Sequence, residues 1–390
     1  MPEWLDSDRA LADFVGAIPA GQPVALDTEF DWTRTYYPVL ALLQIGIDRE
    51  RVGVVDALAV RDWRPLRDLL ADGGHRIVVF SGGHDLPLMV RACGGPEACL
   101  PKNVFDVQVA GVFCGGKSVS PALKAVVLEQ LGIELDKHET RSDWTKRPLT
   151  DSQLAYAAGD VALLPELAAR FDAMLAENGN ADAFADEMSL WERPEAYAEP
   201  PAELAWRRLK NFNSFNNNDA RTRARVLAVW REKSARQRNL PRGWILSDEQ
   251  ITWLANYNPQ SANQMSAMPQ GPHGAGRHQR DEMLAAMRDA TPAPEDKGAP
   301  PIRASYLRAR MNVMRERLFG LVASRAKARH VPEEFLASHR ELEAVAYNRL
   351  TGLPYRESRI FTGWRADLLQ PVLDEILHSG GVPAAGHSGT

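Results

Sequence analysis

Cysteine is scarce in this chain: Cys93, Cys99 and Cys114 are the only three in 390 residues. So small and odd a number argues against a disulfide framework and fits a reducing compartment. With no CxxC pair among them, a zinc site is not expected. Long apolar runs are missing too. None approaches the ~20 residues needed to span a bilayer, so no membrane segment is expected. The opening MPEWLDSDRALADF is acidic and lacks the basic end and apolar stretch of a secretion signal, which points to the cytoplasm. There is no GxxxxGK[ST] loop, which argues against a nucleotide-driven motor. No coiled-coil heptads or repeated interface pattern call for more than a monomer. Nor is there an excess of positive charge, since the chain carries a net −5.

The distribution of that charge says more than its total. From Pro201 to Leu240 ten Lys/Arg oppose three acids, and from Pro300 to His330 eight oppose the single Glu316. An acidic first half joined to a basic second half can hide a polyanion-binding surface in the average. Solvated arginine-rich helix faces are the plain alternative.

The first ~190 residues alternate between two periods. Short β-rich runs (PVALDTEF, LALLQIGI, RVGVVDA, RIVVFSG) are separated by helical stretches such as WRPLRDLLAD and DLPLMVRAC. This pattern predicts an α/β domain with helices packed on a sheet. Because YYPVLALLQIG follows LDTEF closely, an antiparallel pair and hence a mixed sheet is expected. After the Pro/Glu-rich joint WERPEAYAEPPAEL the strand signals fade into helical ones. A second joint, RDATPAPEDKGAPPIRA, is expected to be extended or mobile. The chain therefore divides into an α/β domain over 1–195 and two small all-α domains over 203–288 and 303–378. The tail GGVPAAGHSGT is expected to be disordered.

Chemistry concentrates in three segments of the first domain. In VALDTEF, read as a buried strand, Asp27 and Glu29 are two apart and project together, with Thr28 on the other side. Asp85 follows RIVVFSGG, where it could be a ligand or a helix N-cap. LTDSQLAYAAGDVALLPELAARF has apolar residues recurring at three and four and reads as one helix. On it, Tyr156 and Asp160 are i and i+4 and share a face. Two strand carboxylates facing a carboxylate and a phenol make a hard-oxygen cage for divalent cations, magnesium or manganese rather than zinc. Burying such acids is costly unless they are paired or metal-bound, which favours function for Asp27 and Glu29. Tyr156 could instead be a core aromatic, and Asp106 in NVFDVQ is a reserve for the role of Asp85.

These motifs resemble the DEDD exonuclease superfamily, in the subgroup whose last motif carries a tyrosine, and within it the ribonuclease D family. LDTEFDWTRTYYPVLALLQIG, FDVQVAGVFCG and LDKHETRSDWTKRPLTDSQLAYAAGDV all carry the likeness. AWRRLKN and WREKSARQRNLPRGWILSDEQITWLA are similar to the helicase-and-ribonuclease-D C-terminal domain. The resemblance implies a ribonuclease-H-like fold with two C-terminal helical domains, the second degenerate. It implies 3′→5′ hydrolysis of RNA such as tRNA precursors, releasing nucleoside 5′-monophosphates. Two metal ions would divide the work of a phosphodiester cleavage, one generating hydroxide and one stabilising the leaving oxygen. Asp27, central on its strand, is the natural bridging ligand. By resemblance, Glu29 and Asp160 complete the water-activating site and Asp85 holds the second ion. Tyr156, whose unperturbed pKa of about 10 makes it a poor ligand, would orient the attacking water.

One segment departs from the family pattern. Phe80-Ser81-Gly82 stands where phenylalanine-histidine-alanine is common, and the nearest histidine is His84. His84 could assist a phosphate or a proton transfer, or be incidental. For the RNA strand, Lys137 and Arg141 are placed to meet phosphates. Arg207, Arg208, Lys210 and the arginines of WREKSARQR could form a backbone-tracking stripe. Trp144, Tyr36 and Tyr37 could stack on bases or pack in the core. Two alternatives stand beside the exoribonuclease: a DNA 3′→5′ exonuclease using the same cage, and a catalytically silent nucleic-acid-binding protein.

Overall fold

The apolar runs become a six-stranded sheet flanked by helices. The computed structural model describes residues 1–135, 139, 142–210, 212, 215, 217–267, 269, 271–297 and 305–379. In chain order the first part runs β1 (Glu3–Leu5), α1 (Asp8–Gly16), β2 (Val24–Asp31), β3 (Val39–Gly46), β4 (Val52–Asp56) and α2 (Arg64–Ala71). It continues with β5 (Ile77–Val79), α3 (Asp85–Ala92), β6 (Val104–Asp106), α4 (Val107–Phe113), α5 (Leu123–Leu131), α6 (Asp151–Ala162), α7 (Leu164–Asn178) and α8 (Ala181–Ser189). The strand order is β1-β4-β3-β2-β5-β6. β3 and β4 pair antiparallel, whereas β1–β4, β2–β5 and β5–β6 pair parallel, so the sheet is mixed as expected.

Strand alternation gives each face its own core. Val24 and Leu26 of β2 join Leu11, Leu66 and Leu86 on the side of α1, α2 and α3. Ala25 of β2 joins Val161, Leu164 and Phe171 on the other side. On that second side α6 lies close against β3. A Cβ on Gly46 would stand 2.8 Å from the carbonyl oxygen of Val161, so only glycine permits the approach.

The stretch read as a single helix is two. α6 begins with a capping box, in which the Thr150 side chain accepts from the Gln153 backbone and Gln153 reaches back. It ends at Ala162, and α7 starts at Leu164 with Pro165 in its first turn. Proline has no N–H to continue the helical ladder, which accounts for the break.

The described residues of Met1–Glu29, Leu40–Ala198 and Ile302–Thr390 form one compact unit. Its C-terminal helices are α14 (Ser305–Arg329), α15 (Glu333–Leu336), α16 (His339–Thr351), α17 (Gly363–Leu369) and α18 (Val372–Ser379), numbered after the five helices of the second unit. Expected as a domain of their own, they share a core with the α/β domain. The Phe113 ring lies 5.1 Å from Trp364 and 5.2 Å from Phe335, edge-on to both. Such pairs add roughly 0.5–1.5 kcal/mol each beyond the area they bury. Glu187 of α8 accepts from Trp364 Nε1 at 2.7 Å and from Arg365 Nη1 at 2.6 Å.

The second unit comprises Phe30–Val39 and Glu199–Pro301. Its helices are α9 (Asn218–Arg238), α10 (Arg242–Ile245), α11 (Asp248–Tyr257), α12 (Ala262–Ala267) and α13 (Arg277–Arg288). Tyr36 packs against this helical core rather than beneath the sheet, and its hydroxyl donates to Glu232 at 2.5 Å. The Tyr37 backbone N–H donates to Asn239 at 3.0 Å. The proline-rich joint is also anchored within this unit. Asp296 is 1% exposed and binds Arg225 at 2.8 Å and the Thr222 hydroxyl at 2.9 Å, so that part of the joint is pinned, not mobile. Among the described residues no helix is long and apolar enough to cross a membrane.

Candidate active site

Asp27 and Glu29 sit in the middle of β2, the strand between β3 and β5. Asp85 begins α3, beyond the end of β5, so the neighbouring parallel strands β2 and β5 deliver their acids to the same edge. α6, seated over β3 through Gly46, carries Tyr156 and Asp160 one turn apart. All three elements meet at the C-terminal ends of β2 and β5.

The turn before Asp85 is held by the acid expected as its reserve. Asp106 is 2% exposed and accepts from the backbone N–H groups of Ser81 at 3.0 Å and Gly82 at 2.9 Å. It also caps α4 by accepting from Gln108 and Val109. Its lone pairs are thus taken by the fold, and Asp106 acts as a clamp beneath the turn rather than as a ligand. Ser81 is in the left-handed region at φ 61°, and a Cβ on Gly82 would stand 2.7 Å from Val79 Cγ2. The FSGG segment is therefore a tight turn whose last residues present Asp85. Asp85 occupies the first helical position, and the N-cap residue of α3 is His84, which makes no side-chain cap hydrogen bond.

Thr28 supplies a contact that strand alternation alone did not suggest. Buried between the two strand acids, it donates its hydroxyl to Asp85 Oδ1. The threonine at that position was the available signal, since its hydroxyl can donate to a carboxylate from the buried face.

Electrostatics tie the acids into one cluster. Burial pushes Asp27 well above the ordinary carboxylate range, reinforced by the charges of Asp85, Asp160 and Glu29. Glu29 is raised to about 8, first by burial and then by Asp160 and Asp85. Burial also raises Asp85, opposed by the Thr28 hydrogen bond and, more weakly, by His84. Four carboxylates repelling one another in a desolvated site favour protonation unless a cation joins them. An all-oxygen set of this charge fits magnesium or manganese. Among the described residues no three acidic, His or Cys side chains are grouped closely enough to hold an ion as positioned. Asp27, Glu29, Asp85 and Asp160 are the residues that would hold one.

Beside the cluster, Tyr156 and Asp160 line a cleft of about 220 Å³ with Ser152, Gly159, Glu134 and Glu139. Trp144 is 5% exposed and lies against Tyr156 with ring centroids 5.9 Å apart, so it supports the phenol from within the core. Glu139, absent from the sequence reading, accepts from Ser152 Oγ at 2.7 Å. Lys137 and Arg141 lie outside the described residues.

Part of the expected stripe of cations in the second unit is engaged in ion pairs. Arg231 is buried against Asp248 at 2.7 Å. Glu232, itself buried, gathers Arg208 at 3.4 Å, Arg236 at 3.1 Å and Arg242 at 2.7 Å. These arginines serve a structural ion-pair network. Arg207, Arg208, Lys210 and Arg238 are exposed, Arg207 beside the Trp206 ring and Lys210 at the rim of a cleft of about 520 Å³ that contains the stacked Trp253 and Tyr257.

A mixed sheet bearing two acids on its central strand, a third after the next parallel strand and a Tyr-x-x-x-Asp helix above them belongs to the 3′–5′ exonucleases. Residues 2–176 match the 3′-5′ exonuclease family model, and residues 220–287 match the HRDC domain. The chain is 30% identical to ribonuclease D of Escherichia coli over 96% of its own length and 98% of that protein. It is 32% identical to ribonuclease D of Acidiphilium cryptum over 94% of its length and 91% of the relative. The crystal structure of Escherichia coli RNase D, described as an exoribonuclease involved in structured RNA processing, superposes with a TM-score of 0.83 at 28% identity, covering 97% of this chain and 99% of that one. The catalytic core of RRP6 from Trypanosoma brucei, 19% identical with a TM-score of 0.59 over 74% of this chain and 79% of that one, shares the fold. The chain belongs to the ribonuclease D family and is a 3′–5′ exoribonuclease.

Proposed function

We propose that this enzyme trims the 3′ extensions of structured RNAs, tRNA precursors among them, releasing nucleoside 5′-monophosphates with two divalent cations. The observation that carries the reading is the cluster of Asp27, Glu29, Asp85 and Asp160, whose burial and mutual repulsion call for cations. When bound, magnesium or manganese would supply a nucleophilic hydroxide and neutralise the leaving oxygen. Asp27 would bridge the two ions, Glu29 and Asp160 would complete the water-activating one and Asp85 would hold the other. Thr28 and the Asp106 clamp fix the Asp85 carboxylate so that little reorganisation is needed. Tyr156, backed by Trp144, would orient the attacking water by a hydrogen bond from its phenol. The description of the Escherichia coli relative as a processor of structured RNA supports the substrate class.

The test is a 5′-labelled, tRNA-like RNA with a single-stranded 3′ extension, incubated with magnesium, manganese or EDTA beside a DNA copy. A metal-dependent ladder shortening from the 3′ end of the RNA is the expected result. Shortening of DNA alone would overturn the substrate assignment.

A further inference from the structure

Gln44 is 0% exposed, and among the described residues neither its Nε2 nor its Oε1 has a hydrogen-bond partner. A buried amide normally satisfies at least one of these atoms, and an aliphatic side chain would fit an apolar core better. Its place in the fold shows what the amide faces. On β3, Leu42 packs with Trp144 and Ala157, and Gly46 lies against Val161. Gln44, between them in the strand alternation, points to the same face, toward the Ala157–Val161 turn of α6 that carries Asp160. Val54, its register partner on β4, lies in the same cluster as Leu42.

β2 is the neighbour of β3 on its other edge, and Ala25, two residues before Asp27, shares a core with Val161. Asp27 and Glu29 therefore lie on the same face as Gln44. Side chains on one face of adjacent strands are about 5 Å apart when opposite and about 7–8 Å when diagonal, spans that a glutamine side chain can bridge.

We propose that Gln44 is a positioning residue for the Asp27–Glu29 pair, its Nε2 donating to the ionised carboxylates in the cation-loaded site. The inference rests on the exonuclease reading for what the pair does, but not for the geometry. In the metal-free protein the amide is a buried polar group without a partner. In the loaded protein it holds the ligand oxygens in orientation. Stability and metal affinity therefore move in opposite directions when it is removed.

The test is Gln44→Met, close in shape and without the amide, in the full-length protein. In EDTA its melting temperature is expected to equal or exceed that of the parent. Manganese affinity, measured by titration calorimetry or by the EPR signal of free Mn2+, is expected to weaken about tenfold, the scale for loss of a group that orients metal ligands. On the RNA substrate kcat should fall by a similar factor with KM within about twofold. A variant that melts lower in EDTA, with manganese affinity and kcat unchanged, would show the amide to be a core group only and overturn the proposal. If the parent binds manganese but shortens no RNA, the functional reading fails, while the affinity and melting comparisons still decide the role of Gln44.

Discussion

At the residue scale, the acids of the candidate site are expensive to the fold, and the proposed chemistry rests on them. Replacing Asp27 with Asn removes a carboxyl that burial and its acidic neighbours make costly to ionise. Its turnover on RNA should drop roughly a thousandfold, while its melting temperature in EDTA at pH 8 rises above the parent's. An active Asp27→Asn enzyme would show that the cage is assigned to the wrong residues. Thr28→Val keeps the shape of β2 and removes the hydroxyl that Asp85 accepts. A hydrogen bond to a charged group contributes about 1.5–3 kcal/mol, so kcat is expected to fall about tenfold or more, with the circular dichroism spectrum unchanged.

At the scale of elements, the site depends on how closely α6 approaches the sheet and on how firmly the turn after β5 is held. Gly46→Ala would place a methyl group 2.8 Å from the Val161 carbonyl oxygen and force the helix outward. Overpacking of this kind costs about 1–3 kcal/mol, and here it moves Asp160 and Tyr156 together. Urea denaturation should register the stability loss, and activity should fall beyond what that loss explains. Asp106→Ala leaves the N–H groups of Ser81, Gly82 and Gln108 without their acceptor. About 3 kcal/mol of stability should be lost, combining a missing helix cap with buried donors. These positions were not legible as structural supports in the sequence. Glycine in LLQIG and aspartate in NVFDVQ acquire their roles from neighbours that only the folded chain brings close.

At the scale of the whole molecule, the cations proposed for the site would compete with protons for the same acids. Glu29 rises from an ordinary 4.5 to about 8, so the metal-free folded protein holds a proton that the unfolded chain releases. Its contribution to stability is complete below about pH 4.5 and is lost as the pH rises through about 8. Melting of the EDTA-treated protein should therefore fall as the pH is raised across that window, and saturating magnesium should restore it most at the alkaline end. A metal-free melting temperature that is flat or rising with pH there would contradict the shared burial of these acids. The C-terminal helices add a separate dependence. Arg365 is 4% exposed and paired with Glu187, so Glu187→Ala would leave a buried cation and a free Trp364 N–H. A loss of about 3–5 kcal/mol in urea denaturation is expected, the cost of breaking a buried pair from one side.

The sequence by itself determined the α/β character of the first domain and the helical character of the rest, and it named the acids proposed as donors of the site. Those features depend on residues two to four apart, whose relative directions follow from strand and helix periods. It did not determine which polar residues would be left for function. Arg208 and Arg236 are matched by Glu232, Tyr36 is taken by the same glutamate 196 positions away, and Asp106 is used up by backbone donors of a turn 24 and 25 positions earlier. Only the tertiary structure decided these pairings, because the free energy of burying a charge depends on whether a partner from a distant part of the chain arrives beside it.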